Sequence, residues 1–269
     1  MATATAQFRQ ILGIRFFIGN ADEAFARISD GGLLVVPAAP ALKNLADDPA
    51  YREALQSADL VITDSAFMVM IWNRLKRDSI RRVSGLKYLS SLLKQPDFCQ
   101  PGRSFWIMAS DESAQRNCAW LRRQGIELAA ADSYIAPQYG ETVLDPVLLQ
   151  RLNERRPRHV VVSIGGGKQE RLGLYLRGEL QYKPSIHCIG AAIAFLSGDQ
   201  VQIPRWADRM YLGWLFRCLS DPRRYMPRYW DARKLLSLMI RYGSSLPDSL
   251  KNPELTKNDC IPSTPTTVP

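Results

Sequence analysis

The sequence predicts an α/β fold: a mostly parallel sheet with helices on both faces, followed by a helical appendage. Three observations predict it. Short apolar runs alternate with longer stretches of helical periodicity. Several of those runs are continuously apolar, which suits strands covered on both faces. At 269 residues, 46% hydrophobic and 23% charged, the chain can bury a full core and is too apolar for wholesale disorder.

The apolar runs place strands at residues 11–17, 33–36, 60–62, 104–108, 127–130, 159–164 and 186–189. Between them, helical spacing falls on 21–28, 49–56, 66–75, 87–94, 112–124, 145–155 and 168–180. In the last of these Leu172, Leu174, Tyr175 and Leu176 supply the apolar face. After Gly198 the character changes. Pro204 opens a helix expected to reach about 219, Asp221-Pro222 restarts one to about 242, and Gly243 ends it. Residues 244–269 are rich in Ser, Pro, Thr, Asn and Lys and read as a disordered tail. The expected organisation is a core over 1–198, an appendage over 199–243 and a tail over 244–269.

Charge is concentrated in the appendage. From Arg205 to Arg241 nine Lys and Arg face three Asp, giving +6 of the chain's formal +9. Trp206, Tyr211, Trp214, Phe216, Tyr225, Tyr229 and Trp230 are interleaved with them. Cations mixed with amphipathic aromatics suit an anionic surface or a phosphate-rich ligand. The five cysteines form no C-x-x-C pair and read as reduced thiols of a cytosolic protein. His159 and His187 sit in apolar runs as strand residues, which argues against zinc. The first ten residues lack the order of a signal peptide, and no apolar run approaches a membrane span. Any membrane contact is therefore expected to be peripheral.

Three segments carry candidate chemistry. Gly165, Gly166 and Gly167 follow the run His159–Ile164 and precede Lys168-Gln169-Glu170. A strand that enters glycines and then a helix presents backbone N–H groups to a phosphate or diphosphate, although the same turn also serves tight packing. The spacing matches neither a Walker loop nor G-x-G-x-x-G. Glu170 suits a helix cap, and Gln169 offers an amide to a sugar hydroxyl or phosphate. Asp64 ends the apolar run 60–62, where open α/β sheets bind ligands. It reads either as a general base or, like Ser65, as the cap of the next helix. Arg81 and Arg82 precede a turn, and a guanidinium near Asp64 would suit a diphosphate. No Asp-x-Asp triplet occurs, so no metal or other cofactor is expected.

In order and spacing these segments resemble the WecG/TagA/CpsF family of bacterial glycosyltransferases (glycosyltransferase family 26). The resemblance runs from about Leu12 to Tyr229. It rests on Ala58–Ser65 joined to Arg82-Val-Ser-Gly, on Gly165–Glu170, on Gly190–Trp206 and on the run Trp214–Tyr229. It implies a Rossmann-like fold and inverting transfer of a sugar from a UDP-sugar to a polyprenyl-diphosphate-linked sugar at the cytoplasmic face of the membrane. It also implies that the C-terminal appendage touches the membrane and completes the site. By resemblance Asp64 stands at the catalytic base, Arg82 at the arginine of an R-V-T-G stretch, and Gln169 at the glutamine of a P-x-Q-E turn. Arg217, Arg224 and Arg228 match appendage arginines that hold the diphosphate. The chain departs from the family at Val36 and Ala38, which replace the Thr and Asn of a Thr-x-Asn exit, and at Lys87 and Ala194, which replace aspartates. Ser65 and Gly167 replace a glycine and a proline. The first two departures bear on the donor sugar.

Two other readings use the same residues. One is a catalytically silent relative that binds lipid-linked sugars or partner enzymes. The other is a nucleic-acid-binding module built on the basic helices, which leaves Asp64 and the glycine turn without a task. Self-association is left open by the sequence.

Overall fold

The computed structural model describes residues 7–198 and 213–247. Its strands are β1 (Phe8–Ile11), β2 (Ile14–Phe17), β3 (Gly32–Val35), β4 (Leu60–Ile62), β5 (Ser104–Met108), β6 (Ser133–Ile135), β7 (His159–Ser163) and β8 (Ser185–Cys188). They form one eight-stranded sheet in the order β1-β2-β4-β3-β8-β7-β5-β6. β1 runs antiparallel to β2, and the remaining pairings are parallel. The helices are α1 (Ala21–Ile28), α2 (Ala39–Leu42), α3 (Pro49–Ser57), α4 (Ala66–Lys76), α5 (Gly85–Leu92), α6 (Pro96–Cys99) and α7 (Asp111–Arg123). They continue with α8 (Pro146–Arg155), α9 (Lys168–Glu179), α10 (Ala194–Ser197), α11 (Gly213–Ser220), α12 (Pro222–Ala232) and α13 (Lys234–Tyr242).

Period-two alternation divides each strand between two cores, so both faces of the sheet must be covered. Leu33, Val35, Val61, Val160 and Val162 point to one face and meet Tyr51, Met68, Leu148, Leu172 and Leu176 from α3, α4, α8 and α9. Leu34, Leu60, Ile62, Trp106 and Val161 point to the other and meet Ile28, Tyr88, Leu89, Phe98 and Leu121 from α1, α5, α6 and α7. This is the predicted architecture. His159 and His187 lie in β7 and β8, as expected, and belong to a buried chain of contacts. Tyr88 Oη lies 2.8 Å from His187 Nδ1, His187 Nε2 3.1 Å from His159 Nδ1, and His159 Nε2 3.3 Å from Asp97 Oδ2.

Four local expectations need correction. The single strand expected at 11–17 is a hairpin. Leu12 and Gly13 take φ 51° and 73°, a left-handed pair that reverses the chain in two residues. Their N–H groups donate to the carbonyls of Gly243 and Ser244, and a Cβ on Gly13 would strike Leu246 at 2.6 Å. The strand expected at 127–130 forms instead at β6, since Glu127, Ala129 and Ala130 are exposed where the chain rounds the sheet edge. The helix expected from 222 to 242 is two helices broken at Arg233, and α13 buries Leu235 and Met239 in the core beside α4. Each such buried side chain contributes about 1.5–3 kcal/mol. The segment expected as tail is placed as far as Pro247, whose carbonyl accepts from Arg52. The helix expected from Pro204 is described only over α11; residues 199–212, with Trp206 and Tyr211, and residues 248–269 lie outside the described residues.

Candidate active site

The carboxyl ends of β4, β3, β8, β7 and β5 open into one cavity of about 660 Å³. This is the edge at which parallel sheets bind ligands, because strand ends and helix N-termini converge there. Asp64, Arg82, Gly165, Gly166, Gly167 and Gln169 all line it. The sequence-predicted residues that the structure describes are thus brought together.

Asp64 stands two residues past the end of β4, and the local sequence explains its freedom. Ser65, not Asp64, caps α4, accepting from the Met68 N–H at 3.1 Å. The Asp64 carboxylate faces the start of α5, where Oδ1 accepts from the Gly85 N–H at 2.9 Å. Arg82 is beside it: Nε donates to the Asp64 carbonyl at 2.6 Å, and a terminal nitrogen lies 3.7 Å from Oδ1. Thr63 fixes this pairing, donating to the Arg81 carbonyl at 2.8 Å and accepting from the Val83 N–H at 3.1 Å. Among the described residues both side-chain contacts of Asp64 fall on Oδ1, and Asp64 lines the cavity. A carboxylate held by one oxygen at a cavity wall has the geometry of a general base.

The glycine turn is built differently. Gly167, at φ 90°, caps α9, and its N–H donates to Glu170 Oε2 at 2.6 Å. The capping reading of Glu170 therefore holds. Gln169 does not hold its amide out to solvent: Oε1 accepts from the Gly190 N–H at 2.6 Å, and Nε2 donates to Glu170 Oε1 at 3.1 Å. Burial raises the Glu170 carboxyl above its ordinary range, opposed by the Gln169 amide and the turn's N–H groups. Tight packing does not account for the glycines, because a Cβ on Gly165 would meet nothing within 4 Å and one on Gly166 only Ala41 at 3.6 Å. Bare backbone there leaves room in the cavity.

The sequence reading missed part of the wall. Asn44, Asp48 and Tyr51 line one side, and Ser110, Ser113 and Arg116 the other. Ser110 was findable, as the cap of α7 just past β5. Tyr51 was not, since its periodicity marks only a core position; burial, then Glu170 nearby, raises its hydroxyl well above the ordinary range. Of the six departures, Val36, Ala38, Gly167 and Ala194 line the cavity, Ser65 is the buried cap of α4, and Lys87 is exposed outside the cavity. Arg217 lies on α11 and Arg224 and Arg228 on α12, but their side chains fall outside the described parts. α12 packs on α2, with Lys43 Nζ 2.6 Å from Asp231 Oδ2. Among the described residues no group of three His, Cys, Asp or Glu is placed to hold a metal ion, and no helix is long and apolar enough to cross a membrane.

Most of the chain is matched by known proteins. The profile of the glycosyl transferase WecG/TagA/CpsF family matches residues 9–248. Similar proteins include the N-acetylglucosaminyldiphosphoundecaprenol N-acetyl-beta-D-mannosaminyltransferases of Staphylococcus aureus strains MW2 and NCTC 8325 / PS 47. Each is 24% identical over 225 residues, 80% of this chain and 85% of the relative. That of strain MRSA252 is 24% identical over 224 residues, with the same coverage. The chain belongs to the WecG/TagA/CpsF family of glycosyl transferases.

Proposed function

We propose that this glycosyltransferase moves an N-acetylmannosamine-type sugar from a UDP-sugar to a polyprenyl-diphosphate-linked acceptor in cell-surface polysaccharide synthesis. The observation that carries the reading is the Asp64 carboxylate, which lines the cavity and among the described residues is held through Oδ1 alone. The acceptor hydroxyl attacks C1 of the donor sugar, the bond from C1 to the UDP oxygen breaks, and the proton passes to Asp64 Oδ2. One displacement inverts the anomeric centre. Charge on the departing UDP is met by Arg82 and by backbone at Gly165 and Gly166, with Arg217, Arg224 and Arg228 reaching in from the appendage, so the step calls on no metal. The packing of α12 on α2, which carries Pro40 and Ala41 of the cavity wall, supports that placement. The names of the relatives support the acceptor and sugar class. Replacing Asp64 by Asn should lower turnover by about 10²–10⁴-fold while UDP affinity stays near the parent's. Turnover within a few-fold of the parent would remove Asp64 from the role.

The same reading puts the protein on the inner face of the cell membrane. Leu219, Met226, Trp230 and Ile240 on α11–α13 are exposed by 57–70%, among the arginines of those helices. Polybasic segments gain about 1 kcal/mol per Lys or Arg near an anionic leaflet, and Trp favours the interface. Deleting the whole appendage would also strip Leu235 and Met239 from the core, so surface changes make the cleaner test. Leu219→Glu with Trp230→Glu should release the protein from anionic vesicles at a salt concentration that retains the parent. Equal pelleting of both would refute the docking.

A further inference from the structure

We propose that Glu170 is a positioning residue: its carboxylate sets the direction of the Gln169 amide and thereby ties the glycine turn after β7 to the Gly190 turn after β8. The inference deepens the reading of the site given above and rests on it for the kinetic part of its test. The contacts form a closed chain. Glu170 Oε2 accepts from the Gly167 N–H at 2.6 Å and Oε1 from Gln169 Nε2 at 3.1 Å. Gln169 Oε1 accepts from the Gly190 N–H at 2.6 Å, and the Gly190 carbonyl accepts from Ser163 Oγ at 2.8 Å. Glu170 is 0% exposed and Gln169 2%, so water cannot replace a lost partner.

The direction of the amide follows from chemistry. A carboxylate only accepts, so the nitrogen of Gln169 must face Glu170 and its oxygen must face Gly190. Both turns line the cavity, and Gly190 holds φ 59°, a left-handed conformation that favours glycine. An amide at position 170 breaks the scheme. Its oxygen can keep the Gly167 N–H, but its NH₂ then meets the NH₂ of Gln169. Flipping Gln169 relieves that clash and moves it to the Gly190 N–H. A donor stays unpaired in either case.

The swap Gln169→Glu with Glu170→Gln restores every pairing. The carboxylate now at 169 accepts from both the Gly190 N–H and the amide at 170, whose oxygen accepts from the Gly167 N–H. The experiment is a double-mutant cycle read by steady-state kinetics with UDP-N-acetylmannosamine and by amide NMR of Gly167 and Gly190. Glu170→Gln should raise KM about tenfold, and the swap should return it to within about threefold of the parent. In the spectra Gly190 should move upfield in Glu170→Gln and downfield in the swap, with Gly167 moving upfield in both as its charged partner is lost. A parental KM and unmoved Gly190 resonance in Glu170→Gln would overturn the proposal, as would a swap no better than that single variant. If the parent turns over no UDP-sugar, the functional reading fails, and the two resonances still decide the role of Glu170.

Discussion

The two ends of the cavity treat a carboxylate in opposite ways. At the β4 end, Asp64 is part-exposed, lines the cavity and among the described residues makes its side-chain contacts through one oxygen. At the β7 end, Glu170 is wholly buried and spends both oxygens on the protein. The first arrangement leaves a group able to take a proton. The second offers a ligand no exposed surface and holds the shape of two turns. Proximity to a cavity therefore does not make an acidic residue catalytic; what matters is which of its oxygens the protein has already used.

Three experiments press on that contrast. The largest effect is expected for Arg82→Ala, which removes the guanidinium that orients Asp64: turnover should fall about 10–100-fold, as for loss of a charged hydrogen bond, with little change in melting temperature. A fall no larger than threefold would show that neither the orientation of Asp64 nor the charge on the departing UDP depends on Arg82. Next is Ser65→Ala beside it, which deletes the α4 cap without touching the Asp64 carboxylate. Stability should drop by about 1 kcal/mol in denaturant titration, with turnover unchanged. A loss of turnover larger than the loss of folded protein would mean that cap and base are not separable.

The smallest effect lies in pH. Tyr88, whose hydroxyl ends the histidine chain, sits in α5, the helix that receives Asp64. Burial, and for His187 also the neighbouring ring, holds both histidines below their ordinary value of 6.5, while Asp97 pulls His159 partly back. Folded histidines that resist protonation bind fewer protons than the unfolded chain does. Their contribution is thus full above 6.5 and is lost as pH falls through that value toward their folded range. Between pH 7.5 and 6.5 the two together should lower the unfolding free energy by up to about 0.7 kcal/mol. Urea titrations of the parent and of His187→Phe measure it, and an equal pH slope in both would detach the effect from the chain.

Much of this was legible in the sequence because it depends on near neighbours. A run such as Val160-Val161-Val162 makes a doubly covered strand wherever it is placed, and a serine before an apolar helical stretch caps it. Residue spacing alone also brought Asp64 to a strand's carboxyl end and the three glycines to the head of a helix. The tertiary structure decided whatever depends on partners distant in the chain. Leu12 and Gly13 turn because residues 243–246 close over them, and Tyr51 becomes cavity wall because α3 packs beside α9. The Gln169 amide points inward because Gly190, 21 positions away, offers it an N–H. Periodicity and capping are settled within one or two turns of chain, whereas the pairing of a buried polar group is settled by what the fold sets against it.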